Sequence, residues 1–282
     1  MSNQFNLDYS ENGKPFFISN NEKNKINLEN PFYLRDSINN NVLILASGPS
    51  ATDIDPKQLH SLTFFAVNGS AQLLLKHDIK PDYYVIDDLD VAQKRTELVL
   101  EGITKSKVSF VSPEILSFLY SNYPNCTKSN KFVVIFKRSK KPGTKESPLI
   151  NYIKGLFDDN IYQSKTAIFS AKKRTLGFST DITKGYFSAR TIPFVAAQIA
   201  HYMGGKKIFF SGLDLQGTER FYEKSEKALP STLDDSFSRY IEPSFKFLNT
   251  VTKKTSVRFY NFSENSKLSN KILEKINFSK FI

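Results

Sequence analysis

Short apolar runs closed by small polar turns dominate the chain from residue 41 onward. Val42-Leu43-Ile44-Leu45-Ala46 is apolar throughout and ends in Ser47-Gly48-Pro49-Ser50, the pattern of a strand buried on both faces. Phe64-Phe65-Ala66-Val67 repeats it and closes with Asn68-Gly69-Ser70. Tyr83-Tyr84-Val85-Ile86 is a third such strand, ending at Asp87-Asp88. Lys107–Val111, Phe132–Phe136, Lys207–Phe210 and Val257–Tyr260 complete the predicted strands. Helical spacing predicts helices at Ala71–His77, Gln93–Leu100, Leu149–Leu156 and Ala189–Met203, and a closing helix at Asn270–Phe278. A short helical segment is expected up to about His60, after the turn residues Asp53-Ile54-Asp55-Pro56. Pro193 falls in the first turn of its helix, where a missing N–H costs nothing, and Gly204-Gly205 ends that helix. Strands alternating with helices predict an α/β fold: a doubly wound, mostly parallel Rossmann-like sheet with helices on both faces.

Residues 1–40 break this pattern. They are polar and Asn-rich, an N-terminal extension with two apolar patches, Pro15-Phe16-Phe17-Ile18 and Pro31-Phe32-Tyr33-Leu34. These are expected as one or two short strands or as a clamp over the single domain of residues 41–282. Within that domain, residues 138–180 are basic and broken by Gly and Pro, which predicts a loop-rich lid. The longest apolar runs fall far short of the about 20 residues of a bilayer span. The N-terminus has no basic stretch leading into an apolar one, so no secretory signal is read, and the expected location is cytoplasmic.

Composition narrows the chemistry. Of 282 residues, 40% are hydrophobic and 24% charged, which excludes a wholly disordered chain. The single cysteine, Cys126, excludes an intramolecular disulfide, a CxxC pair and a Cys-rich zinc site. His60, His77 and His201 match no metal-ligand spacing; the first two read as surface residues and the third as a packed or surface residue of its helix. The net charge is +11, which favours polyanionic partners or simply solubility. It is concentrated: Lys131–Lys145 holds six basic residues and no acid, and Lys165–Arg174 holds four more. No nucleic-acid-binding module accompanies this charge, so nucleic acid is not expected as a partner.

The chemistry is expected at the strand ends. In an open parallel sheet the ligand crevice lies beyond the carboxyl ends of the strands. Ser47-Gly48-Pro49-Ser50, Asn68-Gly69-Ser70, Asp87-Asp88 and Ser211-Gly212-Leu213-Asp214 all end strands. Glycine admits close backbone approach and free N–H groups favour an anion, so the set predicts a phosphate-containing ligand. The chain contains no GxxxxGK[ST], GxGxxG or GxSxG. Asp88-Leu89-Asp90 reads either as a DxD metal clamp for a sugar-nucleotide diphosphate or as an acidic turn that caps a helix.

Taken in order, these blocks resemble the WaaZ (RfaZ) family of lipopolysaccharide core biosynthesis proteins. The resemblance is carried by Leu45-Ala46-Ser47-Gly48-Pro49-Ser50, Ala66-Val67-Asn68-Gly69-Ser70-Ala71-Gln72 and Leu176-Gly177-Phe178-Ser179-Thr180-Asp181-Ile182. Gly185-Tyr186-Phe187-Ser188-Ala189-Arg190-Thr191-Ile192, Phe210-Ser211-Gly212-Leu213-Asp214-Leu215-Gln216-Gly217, Arg220-Phe221-Tyr222 and Tyr260-Asn261-Phe262-Ser263 extend it. It covers about residues 42–270; the first 40 residues and 100–165 match poorly. The resemblance implies a glycosyltransferase that moves 3-deoxy-manno-octulosonic acid (Kdo) from CMP-Kdo to the lipopolysaccharide inner core. It places the enzyme at the anionic cytoplasmic leaflet of the inner membrane.

The SGPS and SGLD blocks are more distantly similar to bacterial sialyltransferases of glycosyltransferase family 42, so a CMP-sialic acid donor is the alternative. A non-catalytic nucleotide- or glycan-binding protein is a third reading. That pattern puts Ser47, Gly48, Pro49, Ser50, Asn68, Gly69, Ser70, Thr191, Ser211, Gly212 and Asp214 at the donor. It puts Arg190 on its phosphate or carboxylate and Tyr222 near the leaving phosphate. A CMP-sugar carries one phosphate, so neither a metal nor another cofactor is expected. The sialyltransferases have a histidine base after a Tyr-Ile pair; here Tyr240-Ile241 is followed by Glu242. The resemblance therefore leaves the base to Glu242, Asp87 or Asp88.

Overall fold

The computed structural model describes residues 5–9, 15–19, 26–59, 61–138, 147–217, 220–222 and 233–278. His60, and Lys140, Lys141 and Lys145 of the basic run, lie outside the described residues.

The N-terminal segment forms a three-stranded antiparallel sheet of β1 (Phe5–Tyr9), β2 (Pro15–Ser19) and β3 (Ile26–Asn27). The first apolar patch is β2. The second, Pro31–Leu34, is a 3-10 turn whose Phe32 N–H is capped by Asn30 Oδ1 at 3.0 Å. Residues 26–38 are bound to the main body. Ile26 and Leu28 enter its core, and the Glu29 N–H bonds the Phe132 carbonyl at 2.8 Å. Arg35 pairs with Asp181 at 2.8 Å and lies over the Tyr202 ring.

The main sheet begins with β4 (Val42–Leu45), β5 (Thr63–Val67), α1 (Ala71–Lys76) and β6 (Tyr83–Ile86). Helices α2 (Leu89–Lys94) and α3 (Thr96–Lys105) lead to β7 (Val108–Val111). Helices α4 (Pro113–Asn122) and α5 (Pro124–Ser129) lead to β8 (Phe132–Val134). An excursion follows: α6 (Pro148–Leu156), then β9 (Ile161–Gln163) and β10 (Gly177–Ser179), which pair antiparallel. Helix α7 (Ile192–Tyr202) returns the chain to the sheet at β11 (Lys207–Ser211). After α8 (Leu233–Ser236) and α9 (Glu242–Lys254) come β12 (Arg258–Asn261) and β13 (Glu274–Lys275).

Eight strands form one wholly parallel sheet in the order β13-β12-β11-β4-β5-β6-β7-β8. The unbroken apolar runs follow from two covered faces. In β4, Val42 and Ile44 join the core beneath α7, while Leu43 and Leu45 join the opposite core with Val99, Ile115 and Leu119. Phe65 and Phe64 of β5 divide the same way. Helix α7 is buried along nearly its whole length, and Ala196, Ala197 and Ala200 bring its backbone close to the strands.

Three expectations change. Residues 270–278 are not a helix: Asn270 Oδ1 accepts the Lys275 N–H at 2.7 Å, and the segment pairs as β13 beside β12. Its apolar pair, Ile272 and Leu273, is buried in a turn. The predicted helix at Gln93–Leu100 is instead the end of α2 and the start of α3, broken at Arg95, whose φ of −130° is not helical. The basic 138–180 stretch carries the β9–β10 hairpin as well as α6. Phe178 anchors it in the core against Phe194 and Phe259.

Candidate active site

Strands β4 and β11 are neighbours whose connections leave in opposite directions, so the sheet's switch point lies between them. A cleft of about 660 Å³ opens beyond their carboxyl ends. Ser47 and Gly48 reach it from β4, Asn68 from β5 and Asp87 to Asp90 from β6. Lys137 enters past the end of β8, and Gly212 to Gln216 past the end of β11. Ser188, Arg190 and Thr191 descend from the loop before α7.

The turn after β4 is locked from within. Gly48 N–H bonds the Gly212 carbonyl at 2.9 Å, and Ser50 N–H bonds Asp214 Oδ2 at 3.1 Å. The Ser50 hydroxyl meets the Ser263 hydroxyl at 2.7 Å, and Ser263 Oγ also accepts the Leu213 N–H at 2.9 Å. These N–H groups serve the fold, so the turn offers its surface rather than a ring of open donors. A Cβ on Gly48 would stand 2.0 Å from Asp214 Oδ2, so glycine is required by the approach of that carboxylate. Asp214, 6% exposed, is the brace between the two strand-end turns and also borders the cleft.

At the next strand end Asn68 takes φ of 51°, a left-handed conformation that Asn tolerates better than most residues. The Tyr84 hydroxyl fixes it by donating to the Asn68 carbonyl at 2.7 Å. Asn68 Oδ1 is buried and has no hydrogen-bond partner among the described residues. Gly69 and Ser70 lie behind the cleft wall. Gly69 packs under the Tyr222 ring, and Ser70 Oγ donates to the Leu45 carbonyl at 2.6 Å while accepting the Val67 N–H at 2.8 Å.

Asp87 is a second carboxylate of the cleft, its side chain 5% exposed, with Lys137 Nζ 2.9 Å from Oδ2. Its charge adds to burial in holding the neighbouring Tyr186 phenol far above its ordinary range. Asp88 caps α2, its Oδ1 accepting the Val91 N–H at 3.1 Å, which is the helix-cap alternative for the DxD triplet.

Opposite stands Arg190, its guanidinium 4.2 Å from the Tyr240 ring centroid. Ala189 and Arg190 are consecutive left-handed residues, with φ of 46° and 56°. Such backbone costs about 1–2 kcal/mol per residue and persists where the surroundings dictate it. Those surroundings are the buried amide of Gln198, which holds the Phe187 backbone, and a Thr191 N–H to Ser188 carbonyl bond of 3.0 Å. Thr191 itself is the N-cap position of α7.

The structure thus brings Ser47, Gly48, Asn68, Asp87, Arg190, Thr191, Gly212 and Asp214 around one cleft. Pro49, Ser50, Gly69, Ser70, Ser211 and Tyr222 support its walls without lining it. Glu242 opens α9 and pairs with Lys246 at 3.1 Å, away from the cleft lining. Among the expected bases, Asp87 and Asp88 are the two at the cleft, and Asp87 is not engaged in a helix cap. Sequence reasoning missed Lys137 as an individual residue, Tyr240 as a platform and Gln198 altogether. Gln198 did leave a signal: it is a lone amide in the apolar run Pro193–Ala200.

Residues 18–279 match the family described as "3-deoxy-D-manno-octulosonic acid transferase WaaZ". The chain belongs to the WaaZ family. A "Probable 3-deoxy-manno-octulosonic acid transferase" of Escherichia coli K12 is 29% identical over 245 residues, 84% of this chain and 82% of that protein. A protein of the same description from Salmonella typhimurium LT2 is 27% identical over 240 residues, 84% of this chain and 87% of its own. Among solved structures, the MAf glycosyltransferase from Magnetospirillum magneticum AMB-1 superposes with a TM-score of 0.50 and 14% identity. That match covers 87% of this chain and about a third of the other (34%), and it supports the α/β fold. As a member of this Kdo transferase family, the chain is a glycosyltransferase. No helix among the described residues is long and apolar enough to cross a membrane.

Proposed function

We propose that this WaaZ-family enzyme transfers Kdo from CMP-Kdo to a sugar of the lipopolysaccharide inner core, at the cytoplasmic face of the inner membrane. It does so with neither metal nor other cofactor. The observation that carries the reading is the pairing, in one cleft, of the Asp87–Lys137 ion pair with the Arg190 guanidinium.

The donor's anomeric carbon bears a carboxylate and an oxygen bonded to the CMP phosphate. In the transfer, the bond from that carbon to the phosphate oxygen breaks and CMP leaves with the electron pair. Negative charge grows on the phosphate; Arg190, Lys137 and Arg220 are the cationic residues lining the cleft, and Arg190 and Lys137 take up that charge. The acceptor hydroxyl forms the new bond to the anomeric carbon and gives its proton to Asp87. Lys137 holds that carboxylate in place. The nucleotide occupies the crevice at Gly48, Asn68 and Gly212, where Asn68 Oδ1, without a partner among the described residues, accepts a hydrogen bond from the cytosine amino group or a ribose hydroxyl.

Calorimetric titration with CMP, beside UDP and ADP and with and without EDTA, tests the nucleotide. Selective, metal-independent CMP binding supports the reading, and its absence from folded protein overturns it. Turnover of CMP-Kdo against CMP-sialic acid then tests the sugar; preference for CMP-sialic acid transfers the reading to a sialyltransferase.

A further inference from the structure

A second cavity, of about 250 Å³, opens from the side of the cleft and shares Lys137, Ser188 and Arg190 with it. Five cationic side chains line it: Lys137, Arg138, Lys172, Arg174 and Arg190. None of its lining residues among those described is acidic. Asp87 pairs with Lys137, and the remaining like charges in so small a space favour the entry of an anion. Arg138 is partly buried and donates to the Asn151 carbonyl at 2.8 Å; loss of water draws its guanidinium below its ordinary basicity. Arg174 Nε is buried without a hydrogen-bond partner among the described residues, and the buried Tyr186 hydroxyl has the Asp87 carboxylate near it.

The pocket has a built floor. Tyr240 places its ring centroid 4.2 Å from the Arg190 guanidinium and 5.2 Å from Lys172 Nζ, so one aromatic ring steadies two cations. Tyr240 stands in the π-helical turn Phe237–Ile241 just before α9. Such turns interrupt helical register and recur at functional sites.

We propose that this pocket is the acceptor subsite, and that it recognises an oxyanion, phosphate or carboxylate, carried by the acceptor glycan. The inference rests on the cleft being the donor site. Lys137 and Arg190 form the boundary between the two cavities, so an anion held in the pocket brings its sugar up to Asp87.

The test is the double variant Lys172→Gln/Arg174→Gln, neither residue lining the donor cleft. Its acceptor KM should rise at least about tenfold, as when a charged hydrogen-bond partner is lost, while CMP affinity holds. The charge-conserving Lys172→Arg/Arg174→Lys should keep the acceptor KM near that of the wild type. An acceptor stripped of phosphate by hydrofluoric acid separates the two anions. If stripping raises wild-type KM and the variant no longer responds to it, the anion is phosphate; if stripping changes nothing and the variant still loses affinity, it is carboxylate. An unchanged acceptor KM in the variant overturns the proposal. Titration with inorganic phosphate gives an arm independent of turnover: binding should fall at least about tenfold in the variant. Equal phosphate affinity in both proteins overturns the subsite, whereas failure of wild type to bind CMP overturns the donor reading.

A different observation carries a second inference. Of the large apolar side chains that stand exposed among the described residues, Leu149, Ile150, Ile153, Phe157 and Ile168 cluster on and beside α6. Phe157 is 86% exposed, and the spacing 150, 153, 157 puts one row along the outer face of the helix. Tyr152 and Gly155 face inward, and Pro148, Asn151 and Tyr152 wall the basic pocket. Exposed Lys154, Lys165 and Lys173 belong to the same stretch of chain and outnumber its exposed acid, Asp159.

An apolar row in a lysine-rich stretch complements an anionic bilayer surface. We infer that α6 docks on anionic lipid, with the pocket mouth beside the membrane. Cosedimentation with phosphatidylglycerol-containing vesicles should be strong, with pure phosphatidylcholine vesicles weak, and should be lost in Ile150→Ser/Phe157→Ser at unchanged Tm. Equal sedimentation of the variant overturns this. So does a wild-type dimer that ignores vesicles and becomes monomeric in the variant, which makes the face a contact between copies.

Discussion

Gln198 grips the backbone of Phe187 twice: its Oε1 accepts the Phe187 N–H at 3.0 Å, and its Nε2 donates to the Phe187 carbonyl at 2.8 Å. The same amide accepts the Ser179 N–H at 3.0 Å and donates to the Phe194 carbonyl at 3.1 Å. Every donor and acceptor of this fully buried side chain is used. The grip lies three residues before Arg190 and fixes the loop that aims it. Gln198→Leu leaves two N–H groups and a carbonyl of β10 and the loop unpaired, each at about 1–3 kcal/mol. Urea denaturation should show a loss of several kcal/mol, and turnover should fall beyond what unfolding explains.

Arg190 separates stability from activity. Its guanidinium is exposed and rests on Tyr240, so Arg190→Ala should fold normally and lose at least about tenfold in turnover. Arg190→Gly should lose as much turnover yet gain up to about 1 kcal/mol, because glycine relieves the left-handed strain at φ of 56°. Parallel kinetics and thermal melts check both; wild-type kinetics in either variant would falsify the role given to Arg190.

Gly48→Ala should damage the nucleotide crevice without touching a ligand. The new methyl collides with Asp214 Oδ2 and, at 2.6 Å, with the Gly212 carbonyl. Displacing Asp214 also strips the Ser50 N–H of its partner. The expected result is a destabilisation of about 1–3 kcal/mol together with weaker CMP binding, read by denaturation and calorimetry.

His201 makes the fold acid-sensitive. Burial pushes its imidazole down to about 4 from 6.5, so it is neutral in the folded protein. The unfolded chain takes up a proton below about 6.5 and the folded one does not, so stability falls with pH until about 4, where the folded imidazole also charges. His201 packs edge-on to Phe178, which makes His201→Phe a conservative filling of the site. That variant should flatten the fall in urea midpoint between about pH 6.5 and pH 4. An unchanged slope would show that other groups set it.

EDTA should leave turnover intact, and added magnesium should not raise it. Loss with EDTA that a divalent ion restores would return Asp88 and Asp90 to the site as a metal clamp.

The sheet was legible in the sequence because a strand covered on both faces leaves an unbroken apolar run. The strand-end turns were legible because glycine and small polar residues punctuate them. What those turns do was less so. Ser50 and Gly69 resemble ligand contacts in sequence, yet Ser50 is consumed by Asp214 and Ser263, and Gly69 makes room for Tyr222. Such partners lie far along the chain, so no local pattern reveals them. Helices α4 and α9 escaped for a different reason. Their apolar positions are interleaved with residues that also suit loops, and tertiary packing of Ile115, Leu119, Phe245 and Leu248 decides the outcome. The 270–278 segment failed likewise, its helical spacing overruled by pairing with β12.

The bond from Ser50 to Asp214 spans 164 residues of chain. Strand β4 emerges early in synthesis, but its neighbour β11 and the acid that braces its turn arrive only after the whole 138–190 excursion. Closing so long a loop carries an entropic penalty that only the finished contacts offset. A nascent chain halted before β11 therefore lacks one wall of its crevice. Nucleotide should first protect the protein from proteolysis when the chain is nearly complete, which makes ligand binding a report on the final step of folding.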